Sequence, residues 1–192
     1  MSPEDSFRRI VTALDRVGIP YMLTGSLACS YHGSPRSTQD IDIVIAPTSE
    51  QLHALVKQLP EPEHYVNLDT ALEALQSETQ FNVVDLSTGW KIDFIIRKSR
   101  QFSRAEFDRR AAVEFLGLRV FVASAEDIVL SKLEWARLGQ SQRQVEDVSR
   151  LLMMRWDSLD LDYLRRWVST LGLEEQWRDA CLRAGVAGAK DA

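Results

Sequence analysis

Cysteine, long apolar runs and signal-like segments are scarce or missing in this sequence. Its two cysteines, Cys29 and Cys181, lie far apart and form no CxxC or Cys/His pattern. This spacing excludes a disulfide-rich scaffold and a zinc finger, and it predicts two reduced, structural thiols. No apolar run approaches the ~20 residues that a membrane-spanning helix needs. The first residues are acidic and lack the layout of a signal peptide. We therefore expect a cytoplasmic protein without a membrane partner.

An excess of positive charge is also missing. The chain has 23 Lys and Arg against 28 Asp and Glu, which gives a net charge of -5. This balance argues against a protein whose main role is to coat nucleic acid, although it leaves room for a local basic groove. The sequence contains a basic stretch that is either a solvated face or an electrostatic guide for an RNA or a nucleotide. It consists of Arg97, Lys98, Arg100, Arg104, Arg109 and Arg110.

Hydrophobic periodicity predicts mixed helices and strands up to residue 123 and helices alone after it. The predicted strands are 21–23, 41–45, 81–86, 90–96 and 118–122, and the predicted helices before 123 are 4–17, 27–31, 49–59, 70–75 and 105–113. Ser124 with Asp127 three residues later resembles a capping box that begins the first of the later helices. We expect an α+β fold with a small mixed sheet in a core of residues 1–123. A helical region of residues 124–185 would pack on this core and leave 186–192 as a frayed tail.

Two aspartates, Asp40 and Asp42, stand two residues apart at the start of an apolar, β-branched segment. On a strand, side chains at this spacing point to the same face. Two close carboxylates repel each other, and desolvation adds to the cost, unless a cation neutralises them. Oxygen-only ligands favour Mg²⁺ among the common divalent metals. The pair therefore predicts a metal site.

A third carboxylate, Asp93, is a lone acid in another apolar strand-like segment. Three acids from two strands can hold two metals, which activate an attacking oxygen and stabilise a leaving group. Asp85 is a competing candidate on the preceding strand. We rank it lower because we expect it to be exposed beside a turn, where aspartate is common without any catalytic or metal-binding role.

Gly25 and Ser26 follow a short apolar run and predict a phosphate-binding turn. A glycine lets the backbone approach a ligand closely, and a helix that begins at Ser26 would aim free N–H groups at an anion. The dipeptide alone is also typical of an ordinary turn and helix cap. The dipeptide indicates a phosphate-binding site only because it lies shortly before the acidic pair.

Together these residues resemble a known family. Gly-Ser, a short helix, Arg-x-Thr-x-Asp-Ile-Asp on a strand and a later lone Asp are similar to the DNA polymerase beta-like nucleotidyltransferase superfamily. The likeness is greatest to small bacterial members, including abortive-infection type toxins. The resemblance implies that Asp40 and Asp42 are metal ligands, and that Asp93 is the third carboxylate and the base for the acceptor hydroxyl. It also implies that Gly25 and Ser26 bind the triphosphate.

Further residues match the pattern less specifically. Arg36 and Thr38 match the Arg-x-Thr before the acidic pair and would bind nucleotide, although a surface loop is an equal interpretation of Arg36. Lys132 on the first later helix would contact phosphate and face the aspartates across a cleft. Asp147 would match a supporting acid on the next helix. A solvated lysine and an exposed aspartate are the alternative. Gln144 occupies a region where toxin-like members carry a lysine, which weakens the toxin assignment.

The resemblance implies a Mg²⁺- or Mn²⁺-dependent transfer of a nucleoside monophosphate from a nucleoside triphosphate, such as ATP, to an acceptor hydroxyl. The acceptor is a small molecule, a protein or an RNA end, and a toxin with an antitoxin partner is one form of this activity. The alternatives are a catalytically inactive binding or regulatory module and a metal-dependent phosphohydrolase. The oligomeric state stays open, because the tryptophans at 135, 156, 167 and 177 can pack within one chain or between two.

Overall fold

The computed structural model describes residues 3–35 and 37–187. Its strands are β1 Tyr21–Leu23, β2 Asp40–Ile45, β3 His64–Tyr65, β4 Gln80–Asp85, β5 Lys91–Ile96, β6 Ala111–Phe115 and β7 Leu118–Val122. Its helices are α1 Pro3–Val17, α2 Gly25–Tyr31, α3 Ser49–Lys57, α4 Leu68–Ser77, α5 Gln101–Asp108, α6 Ala125–Gly139, α7 Gln142–Arg155, α8 Leu161–Leu171 and α9 Glu174–Ala184. The predicted fold class, an α+β chain with a mixed sheet followed by helices, is confirmed. In the described part of the chain, no helix is long and apolar enough to cross a membrane.

All seven strands form one mixed sheet in the order β3-β4-β5-β2-β1-β7-β6. The pairs β2–β5 and β1–β7 are parallel, and the other neighbours are antiparallel. In β2 and β5 every second residue is fully buried, and this apolar set comprises Ile41, Ile43, Ile45, Ile92, Phe94 and Ile96. Such alternation is typical of strands whose one face packs on a core while the other carries polar groups.

Two compact units make up the chain. The sheet unit contains the residues up to Leu27 together with Ser37–Ala123, and the helical unit contains 28–35 together with the residues from Ser124 onward. In the helical unit, Trp156 and Trp177 stack with ring centroids 6.2 Å apart, and Trp167 and Trp177 are buried. Trp135 is half exposed. Tryptophans therefore pack helices within this one chain.

Helix boundaries follow from local capping. The side chain of Ser124 accepts a hydrogen bond from the Asp127 N–H at the start of α6, as the capping pattern predicts. Thr48 and Gln51 form a reciprocal capping box at the start of α3. Asn67 accepts from the Thr70 N–H, so α4 begins earlier than the expected residue 70.

The helix expected over 105–113 is wrong in its second half. Helix α5 ends at Asp108, and Ala111–Phe115 is strand β6, which pairs with β7. Leu116 and Gly117 both have positive φ, at 51° and 69°, and form the two-residue turn that joins these strands. Turns with positive φ at both positions match the twist of a hairpin. This turn, rather than the helix propensity of two alanines, decides the conformation of the segment.

Candidate active site at the start of strands β2 and β5

The two acidic segments lie side by side. In the parallel pair β2–β5, Asp42 is directly opposite Asp93, and Asp40 is directly opposite Lys91. Neighbouring strands are about 4.8 Å apart, and residues in register share a face of the sheet. Asp42 and Asp93 are half-buried, whereas Asp40 is exposed at the first position of β2. The sheet therefore brings Asp42 and Asp93 together on its polar face and leaves Asp40 at the start of β2.

Gly25 lies against the Asp42 carboxylate. It has a φ of 61°, and a Cβ built on it would lie 1.9 Å from Asp42 Oδ2 and 2.8 Å from Asp42 Cβ. No real side chain tolerates such distances, and glycine alone adopts this conformation readily. The Thr24 N–H also donates to the Asp42 carbonyl oxygen at 3.0 Å. The turn after β1 thus places its backbone directly beside one of the predicted metal ligands.

Ser26 is buried, with 2% of its surface exposed, and takes part in an interaction within the protein. Helix α2 has seven residues, so its N-terminus provides only a short dipole. Of the predicted phosphate-binding pair, Gly25 is the member whose backbone meets the acidic site. The role of Ser26 in triphosphate binding stays a prediction.

Lys91 is a cation that the sequence interpretation missed. Its Nζ donates to Asp93 Oδ2 at 3.0 Å and lies 2.8 Å from Oδ1. The hydrogen bond to Asp93 raises the pKa of Lys91, burial lowers it, and the charges of Asp93, Asp40 and Asp42 raise it further. Lys91 and Asp93 are two residues apart, as Asp40 and Asp42 are, and residues at this spacing on a strand share a face. The alternation of the strand was therefore sufficient to predict that Lys91 lies beside Asp93.

Asn82 is a second residue that the sequence interpretation missed. In the antiparallel pair β4–β5 it lies directly opposite Asp93, and it is exposed. The row across the polar face is therefore Asn82, Asp93 and Asp42. The hairpin turn that joins β4 to β5 fixes this register, so the turn signal was sufficient to find Asn82.

Thr38 holds the start of β2. Its Oγ1 accepts a hydrogen bond from the Asp40 N–H at 3.1 Å and lies 3.3 Å from the Asp40 carbonyl oxygen, to which it can donate. A threonine that bonds to the backbone two residues ahead forms a turn of the ST type. Thr38 thus positions Asp40, and its predicted nucleotide contact stays untested. Arg36, the other residue of the predicted Arg-x-Thr pair, lies outside the described residues.

Asp85 is not exposed, contrary to expectation. It is 1% exposed and forms an ion pair with Arg9 of α1. It also accepts hydrogen bonds from the Ser6 hydroxyl, from the N–H and hydroxyl of Ser87 and from the Thr88 N–H. Burial raises the pKa of the Asp85 carboxyl, but the bonds from Ser6, Ser87 and Arg9 outweigh it and hold that pKa well below its usual range. Its oxygens are committed to joining α1 to the β4–β5 hairpin, which removes it as a metal ligand.

The oxygens of Asp42 and Asp93 fit a divalent metal. Asp93 Oδ1 is buried and lies 2.8 Å from Lys91 Nζ, whose hydrogen bond goes to Oδ2. Within residues 3–35 and 37–187, no group of three or more His, Cys, Asp or Glu side chains is close enough to form a metal site as it stands. The register pair Asp42 and Asp93 supplies the hard oxygen ligands that Mg²⁺ prefers. These two residues would hold the ion, and Asp40, on the same face of β2, is the third candidate ligand.

Lys132 and Asp147 form a buried pair in the helical unit. Lys132 Nζ donates to Asp147 Oδ2 at 2.8 Å and to Gln144 Oε1 at 3.0 Å. The side chain of Lys132 is 7% exposed and that of Asp147 is 4% exposed. Neither residue is the solvated surface charge of the alternative interpretation. The pair joins α6 to α7, and the predicted phosphate contact of Lys132 stays a prediction.

In the basic stretch after β5, Arg97, Arg100 and Arg110 lie over aromatic rings. Arg97 and Arg110 both stack on Phe107, with guanidinium-to-centroid distances of 5.6 Å and 4.1 Å. Arg100 donates to the Ser103 hydroxyl at 3.0 Å. Because Arg97 follows the end of β5 and Asp93 lies near its start, the two are separated by roughly 13 Å of strand. The stretch therefore begins past the end of β5 that is farther from the aspartates.

Comparison with known proteins now adds to this geometry. The family model described as "Nucleotidyltransferase of unknown function (DUF6036)" matches residues 4–179. The chain belongs to this family. Nucleotidyl transfer is therefore the class of activity that the family and the fold support. A comparison with curated proteins finds no match at the sequence level.

Solved nucleotidyltransferase structures share the fold. The solution structure of the antibiotic-resistance factor ANT(2'')-Ia has a TM-score of 0.59 and 15% identity, covering 88% of this chain and 90% of that one. An antigenic nucleotidyltransferase-like protein from Paracoccidioides brasiliensis has a TM-score of 0.51 and 19% identity, with 96% and 94% covered. ANT(2'')-Ia in complex with adenylyl-2''-tobramycin has a TM-score of 0.50 and 13% identity, with 95% and 97% covered. At such low identity the likeness concerns the fold alone.

Proposed function

We propose that this nucleotidyltransferase moves a nucleoside monophosphate from a nucleoside triphosphate to an acceptor hydroxyl, and that Asp40, Asp42 and Asp93 hold the divalent metal this requires. The observation that carries the proposal is the register of β2 and β5, which sets Asp42 directly opposite Asp93. Two carboxylates in register on a half-buried face repel each other unless a cation neutralises them. A divalent metal is such a cation, and it would also bind the phosphates of the nucleotide.

Each residue of the site has a definite part in the proposal. When bound, the metal supplies charge neutralisation for the triphosphate and for the leaving pyrophosphate. Asp42 and Asp93 hold it, and Thr38 fixes the backbone of Asp40 beside them. Gly25 leaves space for the Asp42 carboxylate and for close approach of phosphate to the backbone. Asp93 is the proposed base that takes the proton of the acceptor hydroxyl. Most of the catalysis is then positioning and electrostatic stabilisation.

Mg²⁺ is the proposed metal and Mn²⁺ its substitute, since both accept the same oxygen ligands. ATP is the first triphosphate to test. The proposed acceptor classes are a polyhydroxylated small molecule, a protein and an RNA end, in a cytoplasmic setting. ANT(2'')-Ia, which shares the fold, has been crystallised with adenylyl-2''-tobramycin. Tobramycin is for that reason a suitable small-molecule probe, and a toxin with an antitoxin partner is the corresponding form for a protein or RNA acceptor.

The direct test is a transfer assay with α-³²P-labelled ATP, GTP, CTP and UTP and Mg²⁺ or Mn²⁺. Tobramycin, total tRNA and the protein itself serve as acceptors. We expect label on one acceptor class with wild type and with Asp108→Asn, an exposed control. We expect none with Asp42→Asn. Equal labelling by wild type and Asp42→Asn would refute the assignment of the acidic face as the catalytic site.

A non-catalytic nucleotide-binding module is the second candidate. The observation that favours it is the contact of Lys91 with Asp93, because an ammonium neutralises a carboxylate without any metal. On this account triphosphate binding would be independent of Mg²⁺, and no acceptor would become labelled. Metal-dependent binding would argue against the module and for the enzyme.

A further inference from the structure

Lys91 bridges both oxygens of the Asp93 carboxylate. Its Nζ lies 3.0 Å from Oδ2 and 2.8 Å from Oδ1. Asp93 is largely buried, with 14% of its side chain exposed, whereas 40% of the Lys91 side chain is exposed. The lysine is therefore the partner that can move, and the carboxylate is the partner that the strand holds in place.

The position of Lys91 on the sheet places it among all three aspartates. It lies directly opposite Asp40 across the β2–β5 pair, and it shares a face with Asp93 two residues ahead. Asp42 is the register partner of Asp93. An ammonium at this point neutralises part of the charge that the paired carboxylates create.

We propose that Lys91 is a tethered cation that competes with the divalent metal for Asp93. The inference rests on the proposed function, since it takes Asp93 as a metal ligand. A Mg²⁺–oxygen bond is about 2.0–2.1 Å long. A metal bonded to either Asp93 oxygen would therefore come within roughly 4–5 Å of an ammonium that bridges both, and the two cations would repel each other. Metal binding through Asp93 must displace Lys91, and the lost ion pair weakens the affinity for metal.

The test is calorimetric titration of Mn²⁺ into the full chain without nucleotide. Lys91→Gln removes the competing charge and should bind Mn²⁺ roughly threefold to fivefold more tightly than wild type, because only wild type loses a part-exposed ion pair when the metal binds. Lys91→Arg keeps the charge and should stay within about twofold of wild type. Lys98→Gln is the matched control, because Lys98 is an exposed lysine past the other end of the same strand. Equal affinity of Lys91→Gln and Lys98→Gln would overturn the competition.

A second measurement needs no metal. In EDTA, Lys91→Gln should unfold at a lower temperature than Lys98→Gln, because its carboxylates have lost their cation, and saturating Mn²⁺ should reverse the order. If Lys91→Gln and Lys98→Gln unfold at the same temperature in EDTA, the proposal is contradicted.

Asp42→Asn separates this inference from the proposed function. Mn²⁺ binding that survives Asp42→Asn refutes the proposed metal site. Binding that is lost in Asp42→Asn but is no tighter in Lys91→Gln refutes only the role of Lys91.

Discussion

Replacing Gly25 by alanine tests how tightly the turn after β1 encloses Asp42. Gly25 has a φ of 61°, and its hypothetical Cβ overlaps the Asp42 side chain, with 1.9 Å to Oδ2 and 2.8 Å to Cβ. Gly89 provides a matched control. It has a φ of 74°, and a Cβ there meets nothing within 4 Å. Both substitutions place alanine in the left-handed region, but only one creates a clash.

The expected losses of stability follow from two effects, the left-handed backbone conformation and the clash with Asp42. The left-handed conformation costs alanine about 1 kcal/mol relative to glycine, and both variants lose this amount. Rotation of the Asp42 carboxylate would relieve the overlap at Oδ2 but not the overlap at Cβ, so the backbone must also shift. Overpacking of this kind costs roughly 1–3 kcal/mol. We therefore expect Gly25→Ala to lower the free energy of unfolding by about 2–4 kcal/mol and Gly89→Ala by about 1 kcal/mol.

Urea denaturation at pH 7 in EDTA measures both values on the same scale. A Mn²⁺ titration should then show weaker binding to Gly25→Ala than to Gly89→Ala, because the clash forces Asp42 out of its position. The reasoning would be refuted if the two variants were equally stable within about 0.5 kcal/mol, the usual spread of a surface substitution. Equal Mn²⁺ affinity would show that the position of Asp42 does not depend on Gly25.

Three further predictions concern groups outside the acidic face. Asp85→Asn should lower the free energy of unfolding by roughly 2–4 kcal/mol, since it leaves Arg9 without its buried partner. Folding lowers the pKa of Asp85. Its contribution to the free energy of unfolding is therefore present above the pKa of the unfolded chain, about 3.9, and is lost as the pH falls through the lower pKa of the folded protein. Urea denaturation between pH 2 and pH 7 should therefore show a steeper acid loss in wild type than in Asp85→Asn, and parallel curves would contradict this. Lys132→Met should lower the free energy of unfolding by roughly 2 kcal/mol, because the buried Asp147 carboxylate then loses its ammonium partner but keeps the Arg150 guanidinium, 3.6 Å away. Adding Asp147→Leu should recover most of this loss, and a neutral single variant would show that the Lys132–Asp147 pair does not stabilise the helical unit. Burial raises the pKa of the Cys181 thiol to about 12, so a thiol reagent at pH 8 should modify Cys181 only after unfolding, and rapid modification of the native protein would contradict its burial.

Local patterns were sufficient to predict most elements of the fold. The β-branched run 41–45 and the Ser87-Thr88-Gly89 turn predicted β2 and the β4–β5 hairpin within about one residue. The two-residue strand β3 is too short to show a periodicity. Ala111 and Ala112 favour helix locally, so the predicted helix 105–113 runs into β6. In that segment the pairing of β6 with β7 outweighs intrinsic propensity.

The candidate site was less accessible to local reasoning. The parallel pairing of β2 with β5 joins strands that are not consecutive in the chain. A lone acid in an apolar strand made Asp93 a candidate third carboxylate, but periodicity alone does not predict that its strand pairs with that of Asp42. The burial of Asp85 depends on Ser6 and Arg9, which lie 79 and 76 residues away in sequence. The contact of Gly25 with Asp42 depends on the antiparallel pairing of β1 with β2, which brings the turn after β1 beside Asp42. Local periodicity does not predict this pairing. Lys91, by contrast, was predictable from the i, i+2 rule already applied to Asp40 and Asp42.

Calorimetric titration of ATP in the presence of Mg²⁺, compared for wild type, Asp42→Asn and Asp108→Asn, tests the central claim most directly. We expect wild type and Asp108→Asn to bind ATP only when metal is present and to lose this binding in EDTA. We expect Asp42→Asn to bind at least roughly tenfold more weakly. Binding of equal strength to all three proteins, or binding that persists in EDTA, would contradict a metal-dependent nucleotide site built on Asp42 and Asp93.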